Sequence, residues 1–542
     1  MSKWQFRMLI FISYLTWTIS IILGLIGYIF HWFIFDLFDK NKNFKFQWKN
    51  ENEDEHYAII IGAGFSGLGM GIKFKEMNMN KFLILERHSH VGGTWFANRY
   101  PGCQVDVPSN LYSYSFEINP KWSHQYSRQN ELWEYLEKCT DKYQLRSHIQ
   151  FNTTVIQCDW LDDRQLWRVT TLDKTFYYAR FLIGAYGILS NASYPKHING
   201  FESFQGEMCH TAEWNDKINF QGKRVAVIGT GSSAIQCIPQ LHKHFGISHL
   251  YVFQRTPPWV IAIENRTITQ FEKKLFTKFP LIQRFLRACL YWRLESTVLS
   301  FVYRLPLRFI TSKLVRAIFY YQVKDPILQK KLLPTSDYGC KRVILSSDWY
   351  STLQQSNVTL VTSRIKQIES HSIVTYDGDE YPVDIIVWAT GFRVHSLHIP
   401  MFGIQGQSLE KQWSQTVQAY RGVTVPQFPN MFLLLGPNTG LGHNSVLVMI
   451  EAQLKYILEA LIYMQEKKIR AMVVKENVSD KFNEEIQSKL KKTVWQVGGC
   501  HSWYQDPKGN NTTIWPGFTW TYDLLLRKFD YQNYDVLSTI DQ

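Results

Sequence analysis

Two glycine-rich turns have the residue types and spacing of nucleotide-binding sites. GAGFSG at 62–67 follows the apolar run YAIII, and GTGSSA at 229–234 follows the apolar run RVAVI. Glycines at these spacings permit a tight turn and bring backbone N–H groups close to a pyrophosphate at a helix N-terminus. Each turn therefore predicts a dinucleotide site. The residues predicted to contact nucleotide are Gly62, Gly64, Phe65, Ser66 and Gly67 in the first turn, and Gly229, Thr230, Gly231, Ser232, Ser233 and Ala234 in the second.

The residue at the end of the next strand distinguishes the two sites. After the first turn, the run KFLILE ends at Glu86, before Arg87, and an acid about 20 residues beyond such a turn accepts ribose hydroxyls. After the second turn, the run LYVFQRT ends in Arg255 and Thr256, and a cation there suits a 2′-phosphate. The pair predicts a flavin, FAD, at the first site and NADPH at the second. The alternative, that Arg255 is an ordinary surface arginine, stays open on sequence alone.

Strands and helices must position these turns. A strand, glycine turn, helix and second strand occur twice, which predicts an α/β fold with two Rossmann-like dinucleotide-binding domains. We predict an anchor and linker at 1–50, the first part of the FAD domain at 51–198 and the NADP domain at 199–383. The stretch at about 263–334 carries Phe, Leu, Tyr and Arg at helical spacing and predicts a helical insertion. The second part of the FAD domain, with a C-terminal cover, is predicted at 384–542, starting at the strand DIIVWATG.

Composition excludes several classes of function. The 542 residues carry 59 Lys and Arg against 46 Asp and Glu, and the basic residues are scattered without a nucleic-acid-binding motif, so no nucleic-acid partner is expected. The eight cysteines lie far apart with no CxxC, which predicts neither a metal site nor a dithiol redox centre and favours a reducing compartment. Hydrolase motifs such as GxSxG and HExxH are absent.

Residues 8–35 contain no Asp, Glu, Lys or Arg. This run exceeds the roughly 20 residues that a helix needs to cross a bilayer, and it predicts one transmembrane helix. A cleaved signal peptide and a buried core helix are the alternatives. Lysines are more frequent after the run than before it, which favours a catalytic body on the cytoplasmic side, and we predict the endoplasmic reticulum membrane. The flanking cations are Lys3 and Arg7 before the run, and Lys40, Lys42, Lys45 and Lys49 after it.

Longer motifs lie between and beyond the turns. GTWFANRYPGCQVD at 93–106 fits GxWxxxxYPGxxxD, FQGEMCHTAEW at 204–214 fits FxGxxxHxxxW, and CKR at 340–342 precedes ATGF at 389–392. Together they resemble the signatures of type I Baeyer–Villiger monooxygenases, within the flavin-containing monooxygenase superfamily, from Tyr57 to the C-terminus. Asn215 departs from the Pro or Asp usual in that family, and its soluble bacterial members lack an N-terminal span. Trp214 favours this group over the hydroxylating flavin monooxygenases, which share a segment like GPNTGLGHNS at 436–445.

The resemblance implies a reaction. NADPH reduces FAD, O₂ forms a C4a-peroxyflavin, and this anion attacks a small apolar ketone so that one oxygen is inserted beside its carbonyl. It also implies site residues: Arg342 as the cation that stabilises negative charge on oxygen, Lys341 at the 2′-phosphate, and Asp106 orienting Arg342 and contacting the nicotinamide side. Around the flavin it implies Gly93, Thr94, Trp95 and Tyr112, and ordinary core packing is the alternative for the two aromatic side chains.

Other segments receive structural roles. We assign His210 and Trp214 to the hinge between the nucleotide domains. In this family a helical insertion shapes substrate access, and the arginines of the insertion suggest contact with a bilayer, against the alternative of amphipathic core helices with a solvated face. Those arginines are Arg284, Arg287, Arg293, Arg304 and Arg308. Two other functions stay open: a monooxygenase that hydroxylates N or S atoms, and an uncoupled NADPH oxidase. The sequence makes no prediction of oligomeric state.

Overall fold

The computed structural model describes residues 55–263, 265–303, 307–394 and 399–540. Its strands within these ranges are β1 (Glu55–Ile61), β2 (Phe82–Leu85), β3 (Ile149–Gln150), β4 (Val155–Leu161), β5 (Leu166–Thr171), β6 (Phe176–Gly184), β7 (Glu207–His210), β8 (Arg224–Ile228), β9 (His249–Phe253), β10 (Val260–Ile261), β11 (Ile344–Leu345), β12 (Val358–Val361), β13 (Ile365–Ile368), β14 (Ser372–Thr375), β15 (Glu380–Pro382), β16 (Ile385–Trp388), β17 (Met401–Phe402), β18 (Met431–Leu433), β19 (Ile469–Val474) and β20 (Tyr534–Thr539).

The α-helices in the same ranges include short single turns at functional loops and longer helices that pack on the sheets. They are α1 (Phe65–Glu76), α2 (Thr94–Ala97), α3 (Gln129–Lys142), α4 (Ser232–His244), α5 (Gln270–Lys278), α6 (Pro280–Glu295), α7 (Val298–Phe301), α8 (Leu307–Gln322), α9 (Pro326–Leu332), α10 (Trp349–Thr352), α11 (Leu409–Gln412), α12 (Val446–Glu466), α13 (Glu476–Leu490), α14 (Val494–Val497) and α15 (Thr519–Leu526).

The first sheet carries the first glycine turn. Its strand order is β17-β4-β5-β6-β1-β2-β3. The strand β18 pairs with the last residues of β6, after the part of β6 that pairs with β5. The strands β3, β2, β1, β6 and β18 run parallel, whereas β4 and β5 join β6 as an antiparallel meander. Apolar side chains fill both faces of β1, as expected for a central parallel strand covered on each side.

The second sheet carries the second glycine turn. It is parallel throughout, in the order β12-β9-β8-β16-β7. The α/β class with two Rossmann-type units is therefore confirmed. The predicted boundary at residue 384 is wrong, because β16 lies between β8 and β7 in the second sheet. Its four buried apolar residues fit that central position, and the chain returns to the first sheet only at β17 and β18.

Five helices, α5 to α9, occupy the stretch in which the sequence predicts a helical insertion. Local signals explain their starts. Thr269 and Glu272 form a capping box at α5, Pro280 begins α6, and Asp325 caps α9 ahead of Pro326. The insertion is anchored by Glu295, a fully buried carboxylate at the end of α6.

Glu295 joins three segments that are distant in sequence. Its carboxylate accepts hydrogen bonds from Asn444 Nδ2 at 2.7 Å, from Thr519 Oγ1 at 2.9 Å and from the Thr519 backbone N–H. Asn444 lies just before α12, and Thr519 begins α15. A buried carboxylate is costly unless its oxygens are hydrogen-bonded, so this arrangement fixes the insertion against the C-terminal part of the chain.

The predicted membrane span at 8–35 lies outside the described residues. Among the helices that the structure describes, none combines the length and the apolar character needed to cross a bilayer.

Candidate active site

The first glycine turn leaves no room for a side chain at two of its glycines. Gly62 has φ +104°, and a Cβ there would lie 2.7 Å from the Ala185 carbonyl oxygen. A Cβ on Gly67 would lie 1.8 Å from the Gly62 carbonyl oxygen. Only glycine fits at either position, because the turn, β6 and the start of α1 are in backbone contact there. Phe65 and Ser66 begin α1, and both are buried.

Glu86 closes this turn from the end of β2. It is 4% exposed, and its carboxylate accepts hydrogen bonds from the Ala63 N–H at 2.7 Å and the His88 N–H at 2.9 Å. Burial raises the pKa of Glu86, and these N–H groups act in the opposite direction. The neighbouring Arg87 donates to the Ser190 carbonyl at 2.8 Å. The acid is thus in place beside the turn, where the sequence predicts a ribose contact.

The GTW motif lies directly against the first turn. Gly93 has φ +53°, and a Cβ there would lie 3.0 Å from the Gly64 Cα. The helix α2 then begins at Thr94, and Trp95 Nε1 donates to the Tyr112 hydroxyl at 3.3 Å, with the two rings edge to face. Burial raises the pKa of Tyr112 to about 12, so its hydroxyl stays protonated. These residues form an aromatic wall at the first nucleotide turn.

The second turn repeats the geometry with more open space. Gly229 has φ +112°, and a Cβ there would lie 2.5 Å from the Ala389 carbonyl oxygen. Gly231 precedes α4, and a Cβ there would meet no protein atom within 4 Å. Ser232, Ser233 and Ala234 form the first turn of α4, whose N–H groups face that space. This open helix N-terminus fits a pyrophosphate.

Lys341 and Arg255 meet beside the second turn. Lys341 Nζ donates to Thr256 Oγ1 at 2.8 Å, and Thr230 Oγ1 donates to the Thr256 carbonyl at 3.4 Å. Burial first, and the charge of Arg255 second, lower the pKa of Lys341. Two cations that disfavour each other fit an anionic group placed between them, as a 2′-phosphate would be.

Asp106 and Arg342 form a forked ion pair. Arg342 Nε and Nη2 donate to the two carboxylate oxygens, the latter at 2.6 Å, and Nη1 donates to the Leu441 carbonyl at 3.0 Å. Burial acts to lower the pKa of Arg342, but the charge and hydrogen bonds of Asp106 raise it above its ordinary value. Three of the five guanidinium N–H groups are engaged by these acceptors, and two remain for a ligand. Each side chain is about a quarter exposed, so the pair is open to a ligand.

Gln236 on α4 connects this pair to the second nucleotide unit. Its amide accepts from the Tyr100 hydroxyl at 2.8 Å and donates to the Gln104 carbonyl at 3.0 Å. A Cβ on Gly102 would lie 2.5 Å from the Gln236 carbonyl oxygen. The YPG stretch that leads to Asp106 therefore packs on the helix of the second turn, which brings the two predicted nucleotide sites to Arg342.

No sequence motif predicts roles for Gln236, Tyr504 and Glu295. Tyr504 is buried in the C-terminal segment, where burial raises its pKa to about 12 and the nearby charge of Arg342 acts in the opposite direction. Its partner is 162 positions away in the chain, and no local pattern signals such a contact. The predicted residues that the structure does bring together are the two turns, Asp106 and Lys341–Arg342.

Two cysteines form a bond that the sequence does not predict. Cys340 and Cys500, 160 residues apart, form a disulfide, whereas their spacing in the sequence favours separate thiols. The pairing could not be predicted from the sequence because only the fold brings the two residues together. The six other cysteines are free and buried.

His210 and Trp214 lie at and just beyond the end of β7, the edge strand of the second sheet. His210 ends β7 with Nδ1 accepting from the Ala212 N–H at 3.0 Å, and burial lowers its pKa. Trp214 stacks on Phe220 with ring centroids 5.5 Å apart. A buried, neutral histidine with a backbone partner fits a structural role, and the predicted hinge movement stays a prediction.

The insertion arginines whose side chains the structure describes differ in their surroundings. Arg284 is exposed, whereas Arg287 Nη1 donates to the carbonyls of Asn110 and Leu111 at 3.1 and 2.9 Å. The bilayer-facing prediction for Arg287 is therefore wrong, because its guanidinium binds the loop before Tyr112. Arg293 is half-buried, Arg304 lies outside the described residues, and the side chain of Arg308 is not described.

An apolar pocket opens at the carboxyl edge of the first sheet. It is lined by the ends of β6 and β18 and by the start of the 436–440 run, including Ile188, Leu433, Leu435 and Gly440. Gly440 is next to Leu441, whose carbonyl accepts from Arg342. The pocket therefore provides apolar space close to the forked ion pair.

The residues present fit two dinucleotides. The first turn offers glycine backbone that side chains would fill, with a buried acid for a ribose. The second offers an open helix N-terminus and a pair of cations for phosphates.

One family model and three known proteins are similar to this chain. A family model described as pyridine nucleotide-disulphide oxidoreductase matches residues 59–264. A Baeyer-Villiger monooxygenase of Pseudomonas aeruginosa is 42% identical over 462 residues, which are 84% of this chain and 87% of that protein. A cyclohexanone monooxygenase of Rhodococcus sp. Phi1, solved with NADP⁺, superposes with a TM-score of 0.81 at 27% identity, covering 90% of this chain and all of that one.

A second solved structure shows both cofactors. OTEMO, in complex with FAD and NADP, superposes with a TM-score of 0.80 at 26% identity over 89% of this chain and 99% of that one.

Proposed function

Since the chain belongs to the Baeyer–Villiger monooxygenases, we propose that it inserts one oxygen atom of O₂ beside the carbonyl of a small apolar ketone, with Arg342 as the catalytic cation. The enzyme is a flavoprotein that uses FAD and NADPH. The single observation that carries the role of Arg342 is its forked pair with Asp106 at the point where both nucleotide turns converge.

Bound FAD, reduced by NADPH, supplies the electrons that activate O₂. The protein must then hold a negative charge that grows on oxygen while the ketone carbon is attacked. Arg342 suits this task because its guanidinium stays protonated at any working pH and keeps two N–H groups for a ligand. Asp106 fixes the plane of the guanidinium, so those N–H groups need no reorganisation when charge develops.

Cofactor positioning is divided between the two turns. The first turn, Glu86 and the aromatic pair Trp95–Tyr112 hold FAD, and the second turn holds the pyrophosphate of NADPH. Arg255, Thr256 and Lys341 bind the 2′-phosphate. Lys341 and Arg342 are adjacent in sequence, so binding of the phosphate at one residue positions the cation at the other.

The apolar pocket next to Gly440 supports an apolar substrate. Its lining at Ile188, Leu433 and Leu435 offers few polar groups, which suits the ring system of a flavin and a hydrocarbon ketone beside it. Closure of such a space also excludes water, which protects activated oxygen from loss as peroxide.

We also propose that residues 8–35 anchor the enzyme in the endoplasmic reticulum membrane with its body in the cytoplasm. The support is the run of uncharged, largely apolar residues and the excess of lysines after it. An anchored enzyme would draw apolar ketones from the lipid phase.

A substrate panel tests the proposed function. The FAD-loaded enzyme is given NADPH, O₂ and either apolar ketones or matched thioethers and tertiary amines, and the products are identified by mass spectrometry. Esters or lactones from the ketones are the expected products. Oxidation of only the thioethers and amines would overturn the assignment and favour a heteroatom hydroxylase.

A further inference from the structure

The Cys340–Cys500 disulfide lies beside the catalytic cation. Cys340 directly precedes Lys341 and Arg342, and Cys500 belongs to the segment that follows α14. The bond therefore joins the active-site loop to the C-terminal segment at 494–504, here called the covering segment. No step of the proposed oxygenase reaction uses this pair.

Close backbone packing surrounds the disulfide. The Asp337 N–H donates to the Gly498 carbonyl at 2.9 Å, and a Cβ on Gly498 would lie 2.8 Å from both Cβ and Sγ of Cys340. A side chain at Gly498 would push the two segments apart. The covering segment is thus held against the loop at the residue before Lys341.

The covering segment also reaches the other partner of Arg342. A Cβ on Gly442 would lie 2.8 Å from Trp495 Nε1, so Trp495 packs on the backbone next to Leu441, whose carbonyl accepts from Arg342. Tyr504 is buried in the same segment, and the charge of Arg342 acts to lower the pKa of its hydroxyl. Release of this segment would expose more of the guanidinium and its acceptors to water.

Solvent can reach the disulfide from one side. Cys340 is fully buried, Cys500 is half-buried, and its neighbours Gly499 and His501 are exposed. A thiolate reductant attacks a disulfide along the S–S axis and needs access to one sulfur only, and Cys500 is the more exposed residue of the pair.

We propose that Cys340 and Cys500 form a reversible redox site that controls how the covering segment closes the active site. The inference rests on the proposed oxygenase function. In the oxidised state the covering segment is held on the loop and oxygen is transferred to ketone. In the reduced state the segment is freed, water enters beside Arg342, and more of the NADPH consumed yields hydrogen peroxide in place of ester.

The redox chemistry balances with peroxide as the oxidant. Two thiols lose two protons and two electrons, the S–S bond forms, and the O–O bond of one hydrogen peroxide is cleaved to give two waters. The peroxide is the by-product of incomplete oxygen transfer, so the reduced enzyme produces the oxidant that restores its closed state. A dithiol reverses the step by exchange, forming its own disulfide and returning both cysteines to thiols.

A cytoplasmic body makes reversibility useful. Cytosolic disulfides are rare in most organisms, and those that form are usually transient and redox-sensing. A permanent structural cross-link is therefore the less expected use of this pair in that compartment.

The experiment uses the full-length, FAD-loaded enzyme in oxidised and dithiothreitol-reduced forms. Free thiols are labelled in denaturant with one maleimide, the protein is reduced, and new thiols are labelled with a heavier maleimide before peptide mass spectrometry. Limited proteolysis reports cleavage within the covering segment at 494–504, and product analysis reports the ratio of peroxide to ester. Cys500→Ser removes the bond, and Cys289→Ala, which removes a free cysteine on α6, is the matched control.

We expect the heavy label on Cys340 and Cys500 alone in the oxidised enzyme. Reduction should increase cleavage of the covering segment and raise the ratio of peroxide to ester several-fold. Cys500→Ser should show that higher ratio with no response to reductant, and Cys289→Ala should behave as the unaltered enzyme.

Light label on both cysteines of the oxidised enzyme would overturn the proposal, as would cleavage and peroxide ratios that reduction leaves unchanged. If no preparation forms ester, the oxygenase function fails instead. The labelling and proteolysis results still decide whether the pair is a reversible redox site that holds the covering segment. If Cys500→Ser does not fold, titration of the unaltered enzyme with reductant decides the same question.

Discussion

At the residue scale, some N–H groups of Arg342 hold its side chain in place and the others are available to a ligand. Asp106 and the Leu441 carbonyl hold three of them, and two are left for a ligand. A lysine could supply the charge but not the fork, because its donors radiate from one nitrogen on a flexible stem. The site therefore depends on the planar geometry of the guanidinium as well as on its charge.

Replacement of Arg342 tests this division. Arg342→Ala should lower the rate of ester formation by about 10²–10³-fold, the usual effect of removing one donor that stabilises charge on oxygen. Flavin reduction by NADPH should continue, because that step does not need this cation. Arg342→Lys, the control, should recover part of the rate. Ester formation by Arg342→Ala at the unaltered rate, measured by product mass spectrometry, would contradict the role.

Lys341 predicts a pH dependence. Burial and Arg255 lower the pKa of Lys341, so its positive charge is present at low pH and is lost as pH rises through a value below the ordinary one. The KM for NADPH should therefore rise over that interval, while the KM for NADH, which has no 2′-phosphate, stays flat. Loss of the charge should weaken NADPH binding by about 10- to 100-fold, as for a hydrogen bond to a charged group.

Two variants of Lys341 provide the comparison. Lys341→Met should show the weak NADPH binding at every pH, and Lys341→Arg should keep strong binding across the interval because the guanidinium remains charged. A KM for NADPH in Lys341→Met equal to that of the unaltered enzyme would place the 2′-phosphate elsewhere.

At the scale of elements, the second glycine turn contains one position that the fold requires and one that the ligand requires. Gly229 has φ +112° and backbone contact with Ala389, so the fold itself excludes a side chain. Gly231 has an ordinary φ of −79°, and a Cβ there would lie in open space, so the fold tolerates one. The open space at Gly231 is where the pyrophosphate of NADPH is expected.

A pair of substitutions separates these requirements. Gly229→Ala should destabilise the protein by about 1–3 kcal/mol, because it forces a strained backbone, and should lower Tm. Gly231→Ala should leave Tm unchanged and raise the KM for NADPH. A lower Tm for Gly231→Ala in differential scanning calorimetry would show that the fold itself requires glycine at this position. An unchanged KM for NADPH would show that the pyrophosphate does not bind beside Gly231.

At the scale of the whole molecule, short sequence patterns predict the structure within each Rossmann unit. Strand, turn and helix follow one another within about 30 residues in each Rossmann unit, so their glycines, Glu86 and the α/β class could be predicted from the sequence. Contacts between distant segments could not. The sequence places β16 in the wrong sheet because an all-apolar parallel strand fits either core. It does not predict the Cys340–Cys500 disulfide because sequence spacing carries no information about a pair 160 residues apart.

Removal of the N-terminal segment tests the anchor at the same scale. The first described strand begins at Glu55, so an enzyme lacking residues 1–50 keeps the whole first sheet and should bind FAD. It should remain in the supernatant after ultracentrifugation, whereas the full-length chain should sediment with membranes. Sedimentation of the shortened, FAD-bound protein with membranes would show that the catalytic body itself binds lipid.

The most direct test of the central claim is isotope tracing of oxygen. The FAD-loaded enzyme is given NADPH, an apolar ketone and ¹⁸O₂ in ordinary water, and the product is analysed by mass spectrometry. Oxygen insertion by this enzyme predicts an ester or lactone that carries a single ¹⁸O atom in the newly inserted position. A ketone recovered unchanged while all of the labelled oxygen appears as hydrogen peroxide would contradict it.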